Sequence, residues 1–97
     1  ASQFLQAHSS RFRARLADRR GDLDEAERLF KRATGLFREL SVPFYLAVTL
    51  LEQAEWLIGQ ERGDDAEGLL ADACELFERL GAKPWLERAG VMAEARA

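Results

Sequence analysis

One histidine, His8, and one cysteine, Cys74, are the side chains of this 97-residue sequence most suited to nucleophilic chemistry. A thiolate–imidazole pair needs direct contact and a third group to orient the base. Cys74 follows Ala73 on an apolar helical spine and His8 precedes Phe12 by one turn, so they read as a structural thiol and a helix-surface residue. The carboxylate pairs Glu52/Glu55, Asp72/Glu75 and Glu75/Glu78 are three apart, and each pair shares a helix face. Such pairs can hold a cation or a basic peptide, or simply solubilise the surface. No Cys-x-x-Cys or His-Glu-x-x-His spacing offers a metal site, and no glycine-rich loop after a strand offers a phosphate cradle. No catalytic residue, cofactor or metal is therefore expected, and the chain is not expected to be an enzyme.

The charges are unevenly spread. Residues 1–20 carry Arg11, Arg13, Arg15, Arg19 and Arg20 against Asp18, a net of +4, whereas residues 43–82 carry nine acids against Arg62 and Arg79, a net of −7. Only the first segment has the basic character that nucleic acid requires, and the acidic half would repel a phosphate backbone, so direct nucleic-acid binding is not expected. No apolar run approaches the length of a membrane span. A single cysteine excludes an internal disulfide framework and fits a cytoplasmic setting. The absence of a leader before Ala1 reads as a piece excised from a larger protein.

The elements that would position these groups are helices. Leucine and alanine supply 31 positions, while valine, isoleucine and threonine together supply six, a balance that favours helix and disfavours sheet. Apolar spacing and breakers predict helices from about Phe4 to Arg20, Leu23 to Leu40, Pro43 to Gln60, Asp64 to Leu80 and Pro84 to Arg96. An offset of 40 residues superposes the second helix on the fourth: Ala26, Glu27, Leu29, Ala33, Leu36, Phe37 and Leu40 meet Ala66, Glu67, Leu69, Ala73, Leu76, Phe77 and Leu80. Phe4, Ala7 and Ala14 likewise meet Phe44, Ala47 and Ala54. The duplicated positions are mostly apolar, which predicts helical hairpins that cover their apolar faces by stacking.

The run Ala14…Gly21-Asp22-Leu23-Asp24-Glu25-Ala26…Phe30…Ala33 resembles the tetratricopeptide repeat. The second copy keeps Ala54…Ala66…Leu70…Ala73 but turns at Glu61-Arg62-Gly63-Asp64, and Ser10 stands where the family has an aromatic. The resemblance implies an all-α fold of about five helices stacked as a short right-handed solenoid. One domain over 1–97 would comprise hairpin one (3–41), hairpin two (43–81) and an extra helix (84–96). The stretch from Glu75 to Ala89 is similar to the helical-repeat ending of large ATP-dependent bacterial regulators of the MalT and LuxR type, and related arrays accompany nucleotide cyclases.

That placement implies a non-catalytic module for protein–protein interaction or signal sensing within a transcriptional regulator, with a protein or peptide and neighbouring repeats as partners. Arg11, Arg15, Asp18, Leu51 and Glu55 would fall near the groove. A self-associating scaffold is the alternative, with Phe4, Leu5, Phe12, Leu16, Trp85 and Met92 as candidate contacts for a homo-oligomer. A receptor for a small regulatory ligand is the third reading.

Overall fold

Alanine- and leucine-rich segments separated by breaks of two or three residues fold into five helices in the computed structural model, which describes residues 2–96. They are α1 (Gln3–Arg19), α2 (Leu23–Glu39), α3 (Pro43–Gly59), α4 (Gly63–Leu80) and α5 (Lys83–Arg96). The described residues contain no strand. The boundaries fall within one or two residues of those expected from apolar spacing. The chain divides into two compact units, Ala1–Val42 and Pro43–Ala97.

The starts of α1 and α2 use local side chains. Ser2 Oγ accepts from Leu5 N at 3.1 Å and Asp22 Oδ1 from Glu25 N at 3.2 Å, each satisfying a backbone donor that has no partner within its helix. Helix ends use one device four times. After α1, Gly21 N donates to Asp18 O and Asp22 N to Ala17 O; after α3, Glu61 N donates to Ile58 O and Arg62 N to Leu57 O. After α2 and α4 the same pair runs from Ser41 and Val42 to Arg38 and Phe37, and from Gly81 and Ala82 to Glu78 and Phe77. This Schellman pattern needs a left-handed residue at its centre. Those residues are Gly21 (φ 76°), Ser41 (φ 55°), Glu61 (φ 60°) and Gly81 (φ 66°), so one helix and its turn occupy 20 residues throughout.

In the first unit α1 and α2 pack side by side. Phe4, at the start of α1, meets Phe37, near the end of α2, and Ser10 meets Arg32, so the two helices run antiparallel. The face α1 turns inward is made of small residues, Ala7, Ser10, Ala14 and Ala17, all buried. Small side chains let the helix axes approach, and Leu29, Phe30 and Phe37 of α2 supply the bulk. The larger apolar residues of α1 are therefore not its core. Leu5, Phe12 and Leu16 stay 62%, 53% and 47% exposed.

The second unit repeats this interior. Ala47, Ala54, Ala66, Ala73 and Phe77 have no exposed surface, like Ala7, Ala14, Ala26, Ala33 and Phe37 forty residues earlier. Phe4 meets Phe37 edge-on with ring centres 6.4 Å apart, and Phe44 meets Phe77 edge-on at the same 6.4 Å. Helix α5 adds Trp85, which stacks on Phe77 at 5.8 Å and lies edge-on to Phe44 at 5.8 Å, while Ala89 is wholly buried.

Candidate functional site

On α1, Arg11, Arg15 and Asp18 recur at intervals of four and three residues and share one face. Their equivalents forty residues on, at the same positions of α3, are Leu51, Glu55 and Ile58. Arg15 and Asp18 are exposed and Arg11 is half-buried, with its guanidinium 5.2 Å from the centre of the Phe12 ring. Two of the expected groove residues do not offer what the sequence led us to expect. Leu51 has no exposed surface and belongs to the core. Glu55 already holds a basic group from its own chain: Arg88 of α5 donates from Nε and Nη2 to its two carboxylate oxygens, at 2.8 and 2.6 Å.

A two-pronged guanidinium–carboxylate contact is the best geometry for this pair. The Arg88 guanidinium also lies 5.2 Å from the Trp85 ring centre, and its pKa is raised, first by the hydrogen bonds to Glu55. The bond fastens α5 to α3 at the surface. Trp85 is thus engaged in packing within its own unit, and Met92 is half-buried. Phe4, 40% exposed, is partly taken up by Phe37, which leaves Leu5, Phe12 and Leu16 as the open apolar strip of α1.

No matching protein-family model, curated protein or solved structure is found for this chain.

His8 differs from the surface residue expected. Its ring lies edge-on to Phe4 at 4.6 Å and to Phe37 at 4.9 Å, and parallel to Phe12 at 6.4 Å. Burial among these rings, then the charge of Arg11, hold its pKa below the usual 6.5. The folded chain thus binds fewer protons than the unfolded chain just below that value. Stability contributed by the neutral ring is complete above pH 6.5 and is lost as pH falls through the lowered folded pKa. Melting temperature is expected to drop between about pH 7 and about pH 5, and His8→Gln to make that drop shallower. An NMR titration with a His8 midpoint at or above 6.5 would contradict this.

Cys74 is a half-buried thiol whose pKa is pushed up by burial and by Glu78, the opposite of what a nucleophile needs. Among the described residues no three His, Cys, Asp or Glu side chains gather as metal ligands, and no helix is long and apolar enough to cross a membrane.

One cluster escaped sequence reasoning. Arg32 of α2 donates from Nε to the Oγ of buried Ser10 at 3.2 Å, beside a solvent-open cavity of about 230 Å³. Leu5, Gln6, Ser9, Ser10, Arg13 and Arg32 line it. The available signal was Ser10 itself, a polar residue on the inward face where the second hairpin has Leu50.

Proposed function

We propose that the chain is a segment of a tetratricopeptide-like array that holds a protein or peptide partner, or senses a signal, within a cytoplasmic bacterial transcriptional regulator. The observation that carries this reading is the duplicated hairpin interior, with left-handed turn residues at 21, 41, 61 and 81 and edge-on phenylalanine pairs forty residues apart. Such units gain stability from neighbours and present the same face of each first helix along the array. Arg15 and Asp18 are the exposed members of that face on α1. Arginine forks suit a partner's carboxylates. The regulator setting is supported by the stretch from Glu75 to Ala89. In such a setting, partner binding changes the packing between repeats and passes that change to attached domains.

The test is photo-crosslinking in cells from Arg15 or Asp18 of the full-length gene product, with exposed Asp24 of α2 as the control position. Discrete adducts with another protein from the α1 sites alone are expected. Equal labelling from all three positions, or none, would overturn the reading. Adducts joining two copies of the chain would favour the scaffold alternative instead, for which the exposed strip of Leu5, Phe12 and Leu16 speaks.

A further inference from the structure

We propose that hairpin one contains a binding site for a small ligand bearing an oxyanion, a carboxylate or a phosphate, held by Arg13 and Arg32 with Ser9 and Ser10. Around the cavity the first hairpin departs from the repeat. Four positions change character between the hairpins: Gln6, Ser10, Arg13 and Arg32 stand where the second has Leu46, Leu50, Gln53 and Asp72. Leu50 fills its place and is buried. Ser10 is equally buried, at 2% exposure, but is too small to fill the same place, and its hydroxyl is tied to Arg32.

Packing accounts for a small residue at position 10, which lets α1 approach α2, but it calls neither for a hydroxyl there nor for basic groups around it. The set does suit an anion. Two guanidiniums, two hydroxyls and a carboxamide border a space with no carboxylate among its lining residues. Glu25 feels the charge of Arg13, but the base it pairs with is Arg28. Arg32 uses Nε on Ser10, which orients the plane of its fork and leaves the terminal nitrogens to grip two oxygens of a ligand. The volume, about 230 Å³, is below the range of roughly 300–1,000 Å³ typical of sites for drug-sized molecules. It therefore suits a compact group, with Leu5 at the rim to receive a short carbon chain. The site lies wholly within hairpin one and is independent of the partner-binding reading.

The test is a titration of the chain with inorganic phosphate and, separately, with succinate, followed by amide NMR at ionic strength held constant with chloride. Saturable shifts centred on Ser9, Ser10 and Arg13 are expected with at least one of them. Saturation by phosphate alone identifies a phosphoryl ligand, and by succinate alone a carboxylate. Arg32→Gln, at an exposed position of α2, is expected to leave the fold intact and weaken binding by at least about tenfold. Ser10→Ala removes the hydroxyl that orients Arg32 while keeping the residue small enough for the inward face of α1, and is expected to weaken the shifts as well. Shifts that rise without saturating for both ions, or that persist unchanged in Arg32→Gln, would overturn the proposal.

Discussion

Phe37→Ala and Phe77→Ala are each expected to lower the free energy of unfolding by roughly 3–5 kcal/mol. Both rings have no exposed surface. Each loses its own transfer energy and leaves a cavity that alanine-lined helices, already in close approach, cannot collapse to fill. The edge-on contacts with Phe4 and Phe44 add to that loss, since aromatic pairs are worth about 0.5–1.5 kcal/mol beyond their burial. A domain of this length has a total stability of about 5–15 kcal/mol, so either substitution removes a large share. Urea unfolding followed by circular dichroism measures it. Phe12→Ala is the control: that ring is 53% exposed and its removal is expected to shift stability by no more than about 0.5 kcal/mol. Comparable losses at Phe12 and Phe37 would refute the assignment of the core.

The turns give the second large effect, and its sign alternates with residue type. Ser41 and Glu61 hold positive φ with side chains that make it unfavourable, whereas Gly21 and Gly81 hold it freely. Ser41→Gly and Glu61→Gly are each expected to stabilise by about 1 kcal/mol, and Gly21→Ala and Gly81→Ala to destabilise by about 1–2 kcal/mol. Nothing lies within 4 Å of a Cβ built on Gly21 or Gly81, so the loss would come from backbone conformation and not from a clash. Combining the two glycine substitutions at 41 and 61 should raise the melting temperature more than either alone, because the turns close different helices through different backbone hydrogen bonds. No stabilisation in either variant would mean that those helix ends are closed differently.

Helices and their interior were largely legible from apolar spacing, because Ala26, Phe30, Ala33 and Phe37 recur at the intervals a buried helical stripe requires, and their counterparts stand forty residues later. The first helix was less legible. Its buried face is Ala7, Ser10, Ala14 and Ala17, and of these the forty-residue repeat marks only Ala7 and Ala14. The large apolar residues that stand out in its sequence, Leu5, Phe12 and Leu16, face outward. The left-handed turns at Gly21 and Gly81 carry the residue expected for them, but Ser41 and Glu61 do not. Their conformation follows from the hydrogen bonds that close the preceding helices.

Side-chain pairing was the least legible layer. Glu55 and Arg88 are 33 residues apart and meet only because α5 returns alongside α3. His8 entered an aromatic cluster because Phe37, from the far end of α2, comes back to the start of α1. Arg32 reaches Ser10 by the same antiparallel return. In each case the partner is set by helix length and turn geometry together, which local periodicity does not encode.

A uniform stride of 20 residues also governs how such a chain can lengthen in the course of evolution. Unequal recombination between corresponding points, such as those just after Leu40 and Leu80, inserts 40 codons and so delivers a whole pair of helices with its turns. An insertion of half that length would deliver a single helix without the antiparallel partner that covers its apolar face. Growth in complete pairs is thus the arithmetic that the turns impose on the gene.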